Sequence, residues 1–181
     1  MRVISGSARG RRLNPLPGMD TRPTTDQVKE SIFNIIQFDI EGRRVLDLFA
    51  GTGQMGIEAL SRGADHATFV DLAPAAAKTV RANVEMTRFA EQATVVQSDW
   101  RGFLSSCREK FDLIFLDPPY HTDMLENAMQ TIAAIDILSE HGIIICESSL
   151  DKVLPDLAAP YVKGKEYRYG KIKVTLYRRT V

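Results

Sequence analysis

Cysteine and histidine are scarce in this chain. Cys107 and Cys146 are its two cysteines, and His66, His121 and His141 its three histidines. Scattered as they are, they exclude a disulfide framework and give no metal-ligand spacing, so two structural thiols in a reducing cytoplasm and no metal are expected. Long hydrophobic runs are missing as well. No stretch approaches the roughly 20 apolar residues of a membrane span, and Met1-Arg2-Val3-Ile4-Ser5 lacks the apolar core of a signal peptide. A cytoplasmic protein with no membrane partner is therefore expected. Repeats and low-complexity segments are absent. The 181 residues, 44% hydrophobic and 25% charged, fit one ordinary globular domain plus a small appendage.

Net charge is also lacking, with 23 Lys and Arg against 23 Asp and Glu, but the balance hides an asymmetry. Residues 1–30 carry six cations against three acids and residues 161–181 seven against one, leaving ten against nineteen between. Basic ends around an acidic middle point to a polyanion that contacts the ends.

What the chain does hold is two chemical signatures. Asp117-Pro118-Pro119-Tyr120 follows the apolar run Phe111-Asp112-Leu113-Ile114-Phe115-Leu116. A nucleobase amine is a poor nucleophile until fixed acceptors hold its N–H groups. Asp117 and the Pro118 carbonyl can supply those acceptors, the prolines set their geometry, and Tyr120 can stack on the base. Rigid placement is most of such catalysis. His121 adjoins this motif and is weighed with it.

The second signature is the apolar strand Val45-Leu46-Asp47-Leu48-Phe49 running into Ala50-Gly51-Thr52-Gly53-Gln54-Met55-Gly56 and then a helix. Gly51, Gly53 and Gly56 also spell the dinucleotide pattern G-x-G-x-x-G, so a nicotinamide oxidoreductase competes. Three acids favour S-adenosylmethionine. Asp47 can face an ammonium but would repel a pyrophosphate. Asp71, after Ala67-Thr68-Phe69-Val70, can take ribose hydroxyls. Asp99, after Thr94-Val95-Val96-Gln97, can accept from an adenine amine, with Trp100 beside the ring. All three sit at expected strand carboxyl ends, where open α/β sheets bind ligands.

Residues 1–20 are broken by Gly6, Gly10, Pro15, Pro17 and Gly18, and predict a hairpin or flexible arm, too rich in Gly and Pro to build a core. In it Arg9, Arg11 and Arg12 read as phosphate contacts, with Arg22 just before a helix start. Thr24 or Thr25 caps a helix through Phe38. Strands at 43–49, 67–71, 94–98, 111–116 and 142–147 then alternate with helices at 54–62, 74–86, 101–108 and 123–137. Such alternation predicts a doubly wound, mostly parallel α/β sheet. Residues 161–167 and 172–177, around Tyr169-Gly170, predict an antiparallel hairpin. The division expected is a basic arm at 1–24 and a catalytic domain at 25–181.

The Asp47 to Gly53 loop, Asp117 to Tyr120 and the terminal hairpin resemble a class I S-adenosylmethionine-dependent methyltransferase. Arg2-Val3-Ile4-Ser5-Gly6, Arg9-Gly10-Arg11-Arg12-Leu13, Thr21-Arg22-Pro23-Thr24-Thr25, Glu58-Ala59-Leu60-Ser61-Arg62-Gly63-Ala64 and Tyr169-Gly170-Lys171 are more narrowly similar to the RsmD family of bacterial 16S ribosomal RNA guanine-N(2) methyltransferases. The resemblance spans nearly the whole chain. It implies a seven-stranded Rossmann-like sheet with an antiparallel terminal strand, and a guanine of 16S rRNA in the assembling small subunit as substrate. In that reading Asp117, Pro118, Pro119 and Tyr120 hold the guanine. Asp47, Phe49, Ala50, Gly51, Gly53, Asp71, Leu72, Asp99 and Trp100 hold the cofactor, and Arg9, Arg11, Arg12 and Arg22 touch RNA. A monomer is expected. The chain departs from the family at Asp71, where Glu is frequent, at Ser7-Ala8, where Lys-Tyr is, and at Gln54, where a small residue is usual. A DNA adenine methyltransferase and a non-catalytic RNA-binding module are the remaining alternatives.

Overall fold

The computed structural model describes residues 1–18 and 24–181. Its centre is set by two short apolar runs that no single-faced strand would carry. β4 (Phe111–Leu116) and β5 (Leu138–Ser149) are buried on both faces, as parallel strands between helix layers must be. Alternation splits their side chains between two cores: Leu113, Phe115, Ile143 and Ile145 face one, Ile114, Leu116, Ile144 and Cys146 the other.

Around them the chain winds β1 (Arg44–Asp47), α2 (Gln54–Ser61), β2 (His66–Asp71), α3 (Pro74–Met86), β3 (Ala93–Gln97), α4 (Trp100–Ser106) and α5 (Met124–Ile135). α1 (Asp26–Ile35) precedes them, and β6 (Tyr161–Tyr169) and β7 (Ile172–Arg179) follow. The sheet has seven strands in the order β3-β2-β1-β4-β5-β7-β6. Its first five are parallel, and β7 lies antiparallel between β5 and β6. The doubly wound sheet with an antiparallel hairpin is thus as the sequence predicts. Strand order reverses between β1 and β4, and the carboxyl ends of those strands flank the crevice where such sheets bind ligands.

Several boundaries differ from the sequence reading. The first helix is capped as expected, Val28 N donating to Thr25 Oγ1 at 3.3 Å, but it stops at Ile35 rather than Phe38. Ile36 N–H closes the last turn onto Ile32 O, and Phe38 is left 92% exposed. β1 ends at Asp47, two residues short. β5 starts four residues earlier than 142, because Asp136, left-handed at φ 54°, ends α5 and turns the chain directly into Leu138.

The amino-terminal segment is the larger correction. Residues 1–13 form a hairpin, Val3 N donating to Arg11 O and Gly10 N to Val3 O, each at 2.9 Å. It does build core: Val3, Ala8 and Leu13 are buried in the same cluster as Ile32, Phe33 and Ile57. The anchor is Glu58 of α2. Its carboxylate accepts from Ile4 N at 2.8 Å, Ser5 N at 3.0 Å and Arg62 Nε at 3.0 Å, and faces the fully buried ammonium of Lys29 at 3.5 Å. Lys29 in turn donates to Arg2 O at 2.5 Å. Burial lowers the Lys29 pKa, and Glu58 opposes that fall. Ser61 completes the dock, accepting Ser7 N at its carbonyl and Ala8 N at its hydroxyl.

Candidate active site

Five adjacent strands each present an acid at or just beyond their carboxyl ends. Read across the sheet they are Asp99, Asp71, Asp47, Asp117 and Glu147, on β3, β2, β1, β4 and β5 in turn. The three expected cofactor acids and the expected catalytic acid therefore share one edge. Glu147 is the residue the sequence reading missed, although the same rule, an acid closing an apolar strand, would have found it.

On the β1 side the glycine loop behaves as a ligand cradle. Gly51 and Gly53 are left-handed, at φ 57° and 82°. A Cβ at Gly51 would meet nothing within 4 Å, so that glycine leaves open space, whereas Gly53 packs on Val80 and Phe69. At Gly56 a Cβ would fall 2.3 Å from the Phe69 ring, so helix-to-sheet packing explains that glycine. Gly51 N donates to Asp71 Oδ2 at 2.9 Å, and Ala73 N to Asp71 Oδ1 at 3.0 Å, fixing that carboxylate with lone pairs still free. Asn83 Nδ2 holds Thr52 O at 2.9 Å and Asn14 O at 3.1 Å, so the loop and the arm share one amide.

Asp47 is 4% exposed, and its Oδ2 accepts from Gly56 N, in the first turn of α2, at 3.2 Å. Among the described residues it has no cationic partner. Burial raises its pKa to about 7, with Gly56 N–H opposing and Asp71 adding to the rise. A buried carboxylate lacking a cation fits the ammonium of a methionine moiety. It sits under the helix start where a dinucleotide would need its pyrophosphate, which argues against the nicotinamide reading.

Asp99 precedes α4 and makes no capping bond, leaving its carboxylate available. Leu72, beside Asp71, leaves its apolar side chain 66% exposed on this edge. Trp100 is buried in the second core, its ring tilted against Phe49 at 6.5 Å and covered by the Arg101 guanidinium at 4.4 Å. It supports this edge from below, while Phe49 and Ala50 line the turn into the glycine loop.

At the β4 tip, Asp117 is level with Glu147 through the Leu116–Cys146 register. Glu147 accepts from Thr24 Oγ1 at 3.1 Å and, at a long 3.5 Å, from the Tyr120 hydroxyl. Asp117 keeps a solvent-facing edge, yet protein packed behind it desolvates the carboxyl, and Glu147 and Asp47 add like charge. Its pKa rises well above the carboxylate range. Glu147 is also raised by burial, and hydrogen bonds from Thr24, Tyr120 and Asp117 oppose that rise. The Tyr120 hydroxyl is pushed up by burial and by these two acids. Its side chain is 39% exposed. His121 is exposed and left-handed at φ 62°.

Arg9, Arg11 and Arg12 are exposed on the arm. Arg11 reaches Met86 O at the end of α3, and Arg9 follows the turn docked on Ser61 at the end of α2. Both lie beside the carboxyl ends of α3 and α2, toward the amino ends of the strands. Arg22 falls outside the described residues. Among the described residues no three His, Cys, Asp or Glu are placed to hold a metal, and no helix is long and apolar enough to cross a membrane.

Comparison with known proteins agrees with this arrangement. The family model described as "Conserved hypothetical protein 95" matches residues 1–178. YlbH of Bacillus subtilis is 42% identical over 182 residues, with 99% of each chain covered. Ribosomal RNA small subunit methyltransferase D of Escherichia coli is 33% identical over 179 residues, covering 99% of this chain and 90% of that one. The solved yhhF structure from Escherichia coli superposes with a TM-score of 0.89 at 33% identity, covering 99% of this chain and 97% of its own. The fold alone is shared with an RNA methyltransferase of Salinibacter ruber in complex with S-adenosyl-L-homocysteine, at 15% identity and a TM-score of 0.64 over 87% of this chain and 94% of that one. With a Rossmann-like methyltransferase sheet, acids on its five parallel strand tips and relatives matched over nearly their full length, this chain belongs to the RsmD family.

Proposed function

We propose that this chain transfers a methyl group from S-adenosylmethionine to the exocyclic 2-amino group of a guanine in small-subunit ribosomal RNA. One observation carries the reading: the Asp117-Pro118-Pro119-Tyr120 tip lies on the strand next to the one that ends in Asp47 and the glycine loop. An amine acceptor site and an amino-acid cofactor site therefore share a crevice. Ribosomal RNA as substrate is supported by the name of the Escherichia coli relative, and the guanine by the family resemblance. The docked arm and basic chain ends suit a folded RNA of the assembling subunit, met by a monomer in the cytoplasm.

Asp47 would hold the methionine ammonium, Asp71 the ribose, and Asp99 with Leu72 the adenine. Bound there, the cofactor supplies an electrophilic sulfonium methyl. Everything else falls to the chain. Tyr120 stacks on an extruded base, whose removal from its stack costs least where it is already unpaired. The Pro118 carbonyl and Asp117 accept the amine N–H groups and fix its lone pair toward the methyl. Asp117 must be ionised to accept, and Glu147 beside it is the acid that can take up its proton. As the N–C bond forms and the S–C bond breaks, the nitrogen gains a positive charge, and Asp117 takes the proton it must lose.

The test uses labelled cofactor and ribosomal RNA from cells lacking this protein, followed by nucleoside analysis. N2-methylguanosine is the expected product, and N6-methyladenosine would overturn the base assignment. Asp117→Ala is expected to abolish transfer with cofactor affinity kept within about tenfold, roughly 1.4 kcal/mol. Glu147→Gln is expected to lower kcat and change its pH profile. Near wild-type turnover in Asp117→Ala would remove the motif from the chemistry.

A further inference from the structure

The carboxyl-terminal hairpin carries seven Lys and Arg, and the fold uses three of them internally. Lys163 and Lys173 face Glu166 at 3.3 and 3.8 Å, and Arg179 pairs with Asp136 at 3.0 Å. Lys165, Arg168, Lys171 and Arg178 are exposed and have no ion-pair partner among the described residues.

Strand register decides what those four are next to. Ser149 of β5 pairs with Ile172, Ile172 with Tyr169, and Lys173 with Arg168. Leu150 N donates to Lys171 O at 3.1 Å. The β6–β7 turn thus lies at the carboxyl end of β5, just past Glu147, at the mouth of the crevice. Lys152 ties this corner to the catalytic loop, its ammonium donating to Thr122 O at 2.6 Å while its own carbonyl receives the Lys173 ammonium. Leu150, Val153 and Tyr120 expose apolar surface there. Lys165, in the β6 irregularity between Lys163 and Glu166, lies further back along the same edge, level with Ile144 to Cys146, whereas Arg178 pairs with Ile143 and so sits at the opposite end of the sheet.

Charges on an edge strand also deter pairing with other chains, but either sign serves that purpose. Here the free charges are all positive, beside a row of five carboxylates that repels a polyanion. We propose that Lys165, Arg168 and Lys171 form a phosphate-docking edge that holds the RNA strand whose base enters the Asp117 site. This rests on the RNA methyl-transfer reading above and adds a second contact surface, beside the Asp117 tip, to the arm.

The experiment compares wild type, the combined Lys165→Gln, Arg168→Gln and Lys171→Gln variant, and Arg178→Gln. Transcribed small-subunit ribosomal RNA is the probe, with affinity measured across a salt series and methyl transfer measured alongside. The triple variant is expected to keep its Tm and cofactor affinity. Its slope of log affinity against log salt should be shallower by about two, three charges at roughly 0.7 each for single-stranded RNA. KM for RNA should rise while kcat at saturating RNA holds, and Arg178→Gln should match wild type. Each single variant should show about a third of the slope change, so the reading survives poor folding of the triple. An unchanged slope, or an equal loss in Arg178→Gln, overturns the docking edge. Salt-dependent binding by this edge without methyl transfer from wild type would instead sink the catalytic reading and leave the edge standing.

Discussion

Asp47→Asn should make the protein more stable and a poorer cofactor binder at once. The Asp47 carboxyl, buried with one backbone N–H and no cation, has its pKa raised to about 7. In the unfolded chain an aspartate releases its proton near pH 4. Between those values the folded state binds more protons than the unfolded state, so stability falls as pH rises, by about 1.4 kcal/mol per pH unit. The loss is complete above pH 7, where it amounts to about 4 kcal/mol in order of magnitude. Asparagine keeps an oxygen for Gly56 N–H and never ionises. Urea unfolding without cofactor is expected to show the two proteins alike near pH 4 and a variant advantage that grows to pH 7, then levels. Calorimetry with S-adenosylmethionine should show affinity lower by about 1.5–3 kcal/mol, the scale of a lost charge-assisted hydrogen bond. A stability difference that stays flat between about pH 4 and 8 would refute the raised Asp47 pKa, and unchanged cofactor affinity would refute Asp47 as the partner of the methionine ammonium.

Two further outcomes concern the arm. Glu58→Ala leaves the Lys29 ammonium buried beside no carboxylate and the Ile4 and Ser5 amides without an acceptor, and is expected to cost about 3–5 kcal/mol in denaturant unfolding. Early protease cleavage within residues 1–13 should accompany it, and an arm that stays protected would dismiss Glu58 as its anchor. Combined Arg9→Ala, Arg11→Ala and Arg12→Ala, all at exposed positions, should preserve Tm and cofactor affinity and make the RNA salt slope shallower by about two. An unchanged slope would leave the β6–β7 edge as the RNA contact.

The parallel strands were legible because runs such as Ile143-Ile144-Ile145-Cys146 have no polar face, and only a strand covered on both sides accommodates that. The cofactor acids were legible because each closes such a run. The Asp117–Glu147 pair was not, since it depends on β4 and β5 being neighbours, a relation between residues thirty apart. The start of β5 was hidden by Ser139-Glu140-His141, whose polarity breaks the run and whose last member is left-handed at φ 60°. The arm was misjudged for a different reason. Its docking uses backbone amides on Glu58 and Ser61, and main-chain donors leave no mark in a side-chain pattern.

The strand order β5-β7-β6 also governs how the protein is made. β6 bonds within the sheet to β7 alone, so a ribosome that has delivered Tyr161–Tyr169 has produced a strand with nowhere to go. At about 5–20 residues per second the wait for β7 is short, but throughout it β5 is an open edge and Glu147 lacks its neighbour Val174. The hairpin must then enter as one unit, placing two strands together. A stop codon before β7 would therefore leave two of the seven strands out of the sheet, because β6 has no place in it without β7.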